Sequence, residues 1–258
     1  MKKLTSLFYL FLSSACIKTL ANYDNLYLIA GVGGSFTRCA DICVDLNFWD
    51  AAVEGYNAQL GKSELYTIGL GYQAHAALRT TFEAIFRPSL SYCKFQTGIN
   101  EGEANFLGNK TRYFNLSNAS LMFNAYIDGA GITPGLDLNI GCDFHIQPFI
   151  GAGIGLSYNK IYNFHSVTTT LANAISYTVG SAMVSTKHRT FSWQAFAGLE
   201  VARTSFCSLD IGYRYFDGGK IKSNNWALAV LPPQTTSPWT GKLRANEFFV
   251  NFNLFKDF

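Results

Sequence analysis

Near the end of the chain, apolar side chains return at every second position. Phe248, Val250, Phe252, Leu254 and Phe258 share one parity, with Lys256 as the one break. Glu247, Asn251, Asn253 and Asp257 share the other, joined by Phe249 and Phe255. A period of two marks an extended strand, whose successive side chains point to opposite faces. The segment therefore predicts a strand with one greasy face and one mostly polar face.

The alternation recurs upstream. Phe82, Ala84, Phe86, Pro88, Leu90 and Tyr92 oppose Thr81, Glu83, Ile85, Arg87, Ser89, Ser91 and Cys93. In 118–128, Ala119, Leu121, Phe123, Ala125 and Ile127 oppose Asn118, Ser120, Met122, Asn124 and Tyr126. Phe191, Trp193, Ala195, Ala197, Leu199 and Val201 oppose Ser192, Gln194, Phe196, Gly198 and Glu200. Leu209, Ile211, Tyr213 and Tyr215 oppose Ser208, Asp210, Gly212 and Arg214. Three further stretches, 26–36, 64–74 and 147–158, carry glycine on the second face. Eight strands result, each near the roughly 9–11 residues that cross a bilayer at a tilt.

Residues 1–21 read as a secretory signal peptide: Lys2 and Lys3, an apolar stretch from Leu4 to Ile17, then small residues before a cut after Ala21. The apolar stretch is too short for a comfortable transmembrane anchor. Lipoprotein processing at Cys16 is disfavoured, because Leu12 stands one position too far from it. Beyond residue 21 no apolar run approaches the ~20 residues of a membrane-spanning helix. Aromatics make up 16% of the chain and charged residues only 14%. An exported chain of that kind is a secreted β-protein or a transmembrane β-barrel. The net charge of +3 is too small to suggest a nucleic-acid partner, and none is expected.

The connections alternate in length. Residues 37–63, 97–115, 159–190 and 217–242 are long and polar; those near 75–79 and 203–207 are short, and 128–146 is the exception. Four long loops on one side and three shorter links on the other is the layout of an outer-membrane barrel. In hydrocarbon every backbone N–H and C=O needs a partner, and a sheet supplies all of them only by closing on itself. The expectation is an all-β, eight-stranded antiparallel transmembrane β-barrel over 22–258, with four long extracellular loops and lipid against its greasy face. The alternative is a soluble sandwich or lipocalin-like barrel with that face turned inward. The terminal Phe258 and the loop asymmetry favour the membrane form. Phe258 reads as the last rung of the closing strand and as a tag for the barrel-assembly machinery.

The stretches Pro148 to Gly155 (PFIGAGIG) and Asp210 to Gly219 (DIGYRYFDGG), with the closing strand, resemble the small opacity-protein-like outer-membrane surface antigens. The likeness covers most of 26–258 and concerns architecture rather than chemistry. It implies a barrel at the surface of a Gram-negative bacterium, with variable loops that reach host-cell surface molecules or neighbouring cells. Paired cysteines and the longer 128–146 link depart from the pattern.

Candidate interior residues are the ionisable ones of the polar faces: Glu83, Arg87, Glu200, Asp210, Arg214 and Glu247. Eight strands leave room inside only for side chains, so these predict a paired network rather than a wide pore. Five cysteines follow residue 21; Cys39 with Cys43, and Cys142 with Cys207, are the candidate disulfides, and Cys93 is left over. The spacings fit no zinc template, and His75, His145, His165 and His188 lie in or near connections without a Ser or Asp motif. Gly31–Gly34 and Gly151–Gly155 lack the spacing of a phosphate loop. No cofactor, metal or catalytic residue is expected. The favoured reading is a non-enzymatic surface protein acting as adhesin or structural antigen, against a narrow channel and an outer-membrane enzyme.

Overall fold

The structure, a computed structural model, describes residues 25–37, 60–97, 108–139, 144–170, 176–179, 186–204, 207–222, 226–228, 234–236 and 240–255. The expected signal segment, Cys39, Cys43, Cys142 and Phe258 lie outside them. Eight long strands carry the architecture: β1 (Leu26–Thr37), β2 (Lys62–His75), β3 (Leu78–Thr97), β4 (Gly108–Asp128), β6 (His145–Thr170), β8 (Thr186–Thr204), β9 (Cys207–Lys222) and β12 (Thr240–Phe255). Each is antiparallel to the next, and β1 pairs with β12, from Tyr27 opposite Phe255 to Thr37 opposite Ala245. The sheet is a closed ring.

Its stagger can be read from the pairing. From Tyr27, partners run through Gly71, Thr81, Asn124, Gly153, Gln194, Phe216 and Ala245. The path returns to β1 at Thr37, ten residues above its start. Ten residues over eight strands tilt the strands by roughly 40° to the axis.

Three connections close the rim that carries both ends of the ring. One is a tight turn at 76–77, and a second spans only the two residues between β8 and β9. The third leaves β4 through a helical turn, α1 (Gly129–Ile132), and a 3₁₀ turn, then returns as β5 (Leu138–Asn139) against the start of β6. At the opposite rim the ladder climbs further than the sequence suggests. β4 already starts at Gly108, β6 runs to Thr170 with β7 (Ser176–Val179) paired to it, and β8 starts at Thr186. A small hairpin of β10 (Trp226–Leu228) and β11 (Gln234–Thr236) lies between β9 and β12. Strands of 12 to 26 residues thus replace the expected 9–11, and stretches expected as loop belong to the sheet.

The side chains explain the extra length. Over the lower part of the ring the outer surface is apolar: Phe82 and Phe86 on β3, Leu121 and Phe123 on β4, Phe248 and Phe252 on β12 are all exposed. The interior there holds Glu83, Arg87, Asn118, Asn124, Glu247 and Asn251, all buried. Higher up the arrangement inverts. Leu90, Tyr92, Phe114, Leu116, Ile161, Ile221 and Leu243 fill the interior. Ser91, Cys93, Lys187, Lys220 and Lys242 face outward. On β3 the change follows a bulge between Arg87 and Leu90, where Pro88, which cannot donate to the ladder, is followed by an extra residue. Leu90 and Tyr92 therefore turn inward, and Ser91 and Cys93 outward, a correction to the unbroken alternation expected for this strand. On β9 the same offset is made at Gly219, whose φ of 69° suits a residue without Cβ, opposite a register shift at Leu243/Arg244. The exposed apolar band below these bulges is roughly 25 Å tall, as a bilayer core requires.

Candidate functional site

The chemistry-bearing residues of the described chain concentrate in the lower lumen. They come from inward positions of every long strand but β2, and closure of the ring brings them together. Glycines make the room: a Cβ at Gly71 would collide with the Tyr27 ring, and one at Gly151 with the Phe196 ring.

Two clusters form. In the upper one, Arg87 meets Glu247 twice, Nε to Oε1 at 2.5 Å and Nη2 to Oε2 at 2.9 Å. Its Nη1 donates to Asn118 Oδ1 at 2.7 Å, and the guanidinium lies 3.6 Å from the Phe216 ring centre. Ser35 donates to the same Glu247 at 2.8 Å. Arg214 lies between Glu83, 3.6 Å away, and Glu247, 3.8 Å away, over the Phe249 ring. Thr81 and Tyr126 both donate to Glu83 Oε1. All four charged groups are fully buried, two cations against two anions. A doubly hydrogen-bonded Arg–carboxylate pair is the strongest form such an interaction takes.

The lower cluster centres on Arg79. Its Nε and Nη2 donate to Asp128 at 2.8–3.0 Å, and Nη1 approaches Asp210 at 3.3 Å and Glu200 at 3.6 Å. Tyr126 and Phe149 lie against the guanidinium face. Asn253 donates to Asp210, and Gln147 to Glu200. A bridge of amides, Gln194 to Asn124 to Thr81, spans the lumen between the clusters.

Glu83, Arg87, Arg214 and Glu247 thus share one network, and Glu200 and Asp210 share another. Sequence reasoning missed Arg79 and Asp128, which hold the second together. The available signal was parity: Arg79 falls in step with Thr81 and Glu83, and Asp128 with Asn124 and Tyr126. Both stand at strand ends, where the alternation has too few neighbours to be seen.

Cys207 is a free thiol at the foot of β9 and Cys93 a free thiol on the outer face; Cys142, the expected partner of Cys207, lies outside the described residues. His75 accepts the Ala77 amide in a tight turn, and His145 faces Asp137 at 3.2 Å in the 128–146 link. Among the described residues no three His, Cys, Asp or Glu converge to hold a metal ion. The charged groups of the lumen are held in ion pairs. Above it the interior is packed with Leu60, Leu65, Leu90, Leu116 and Leu243, which cover the network from the far rim.

The sequence matches no family model and no curated protein. Its structure is similar to the outer membrane protein OprG from Pseudomonas aeruginosa, at 12% identity over 90% of this chain and 96% of that one, with a TM-score of 0.52. Neisserial surface protein A aligns at 13% identity over 89% and 96%, with a TM-score of 0.35. The attachment invasion locus protein Ail of Yersinia pestis aligns at 10% over 88% and 99%, with a TM-score of 0.27. Identities this low speak for fold alone, and of these three superpositions the one on OprG is close enough to carry weight. Closure, stagger, the exposed apolar band and that likeness agree: the chain has the fold of the small eight-stranded outer-membrane β-barrels.

Proposed function

We propose that the protein is a non-enzymatic surface protein of the outer membrane of a Gram-negative bacterium, and that it works outward through its loop rim. In this reading residues 1–21 are removed on export, and 22–258 are delivered to the barrel-assembly machinery. The single observation that carries the reading is the inversion of polarity along the strands. An apolar exterior over a charged interior is stable in lipid, whereas the apolar interior above it suits a barrel that continues into water. The loop-bearing end therefore stands clear of the membrane as a packed pedestal.

The same packing argues against the channel reading. A continuous aqueous path would have to pass Leu90, Leu116 and Leu243, all fully buried, after crossing two ion-paired layers. The enzymatic reading fares no better, because the buried carboxylates are engaged by arginines, and the hydroxyls that reach them, Ser35 and Thr81, are buried with them, closed off from substrate. An adhesive or antigenic role rests on the connections at the raised rim, which carry the variable face in proteins that resemble this one.

Protein extracted from outer membranes is expected to migrate faster on gels before boiling than after it. In planar bilayers, folded protein is expected to give no discrete conductance steps. Recovery in the soluble fraction without detergent would overturn the membrane reading, and regular steps would overturn the sealed lumen. Loop-deleted protein is expected to bind host cells less than intact protein; equal binding would remove the adhesive role.

A further inference from the structure

Immediately above the apolar band, the outer face of the barrel is basic on one side. β6 and β8 place Lys160 directly opposite Lys187, and β9 and β12 place Lys220 directly opposite Lys242. Arg189 lies over the Tyr158 ring at 5.2 Å, and Lys222 stands next along β9, exposed like most of its neighbours. Among the described residues at this height on these four strands, Asp217 is the one outward carboxylate, and Arg244 approaches it at 3.5 Å.

Like charges facing each other across a strand pair destabilise the sheet. Two such pairs on adjoining strands are relieved by an anion shared between them. Their position says which. They point sideways rather than upward, just above Phe191 on β8 and Tyr158 on β6, the uppermost exposed rings of those strands, where the hydrocarbon gives way to the polar layer. Lysine stems lie along apolar surface while their ammonium groups reach the polar layer. A soluble polyanion would have to enter that layer from the side, whereas lipid phosphates already lie in it.

We propose that the outer arc of β6, β8, β9 and β12 binds the phosphate-bearing headgroups of lipids in the leaflet nearest the loop rim. The inference rests on the membrane reading above, and its test separates the two. Full-length protein is placed in phosphatidylcholine nanodiscs, with or without about one tenth of a bisphosphorylated glucosamine lipid, as wild type and as a variant carrying Lys160→Gln, Lys187→Gln, Lys220→Gln and Lys242→Gln. Co-purifying lipid is counted by native mass spectrometry on heat-modifiable barrel only. Wild type is expected to retain the phosphorylated lipid roughly tenfold above its share, and the variant to lose most of that preference while still inserting. Equal retention by both proteins, or no enrichment in an inserted wild-type barrel, overturns the lipid face alone. A chain that stays out of both kinds of nanodisc overturns the membrane reading and the lipid face with it. Heparin binding that the four substitutions abolish, without lipid enrichment, overturns the proposal in favour of a soluble polyanion.

Discussion

Arg87 shows why the lower lumen is charged at all. A guanidinium this deeply buried is tolerable only because Glu247, Asn118 and the Phe216 ring occupy its donors and its face. The pairing is conditional, since the desolvation cost stays behind when one partner leaves. Arg87→Met is therefore expected to lower stability by about 3–5 kcal/mol, because Glu247 keeps its charge without its main partner. Arg87→Met with Glu247→Met removes both charges and leaves Arg214 matched to Glu83. The double variant is expected to be as stable as wild type or more so. Urea unfolding of the barrel in lipid vesicles, followed by gel migration, measures both. A double variant as weak as the single one would show that the pair does more than balance charge.

A β-bulge is a one-residue event with consequences along a whole strand. On β3 it sets the parity of everything above Arg87, so Cys93 serves as a reporter. In a background with every other cysteine changed to serine, Cys93 in the folded barrel is expected to react quickly with a water-soluble maleimide. Deleting Ser89 takes out the extra residue, leaves Leu90 facing inward and is expected to leave Cys93 reactive. A protected Cys93 in the intact chain would return the strand to unbroken alternation. The bulge also explains what could be read in advance. All eight strands were legible over 26–36, 64–74, 147–158 and their counterparts, because a single alternation persists there for ten residues or so. The upper strand segments were not. When greasy and polar faces exchange sides within two residues, the pattern looks like its own interruption, and 108–117 or 159–170 reads as loop. The interior candidates show the same limit: Glu83 and Glu247 sit in mid-pattern, whereas Arg79 and Asp128 sit at its edges.

For the whole molecule, the inversion of polarity divides one continuous sheet into two solvents. The division can be mapped by moving one charge along one strand. Phe123 and Ser117 both face outward on β4, Phe123 within the apolar band and Ser117 above it. Phe123→Arg is expected to cost about 2–4 kcal/mol in a bilayer, and Ser117→Arg close to nothing. The measurement is again unfolding in vesicles. Equal costs at the two positions would mean that the hydrocarbon does not end where the bulges place it.

A body oiled on its outside below and on its inside above has a single draught. Pushed deeper, it would drown its lysines in hydrocarbon; lifted, it would leave phenylalanines in water. Either displacement meets a restoring force, so the wall of the barrel itself holds the loop rim at a constant height above the surface.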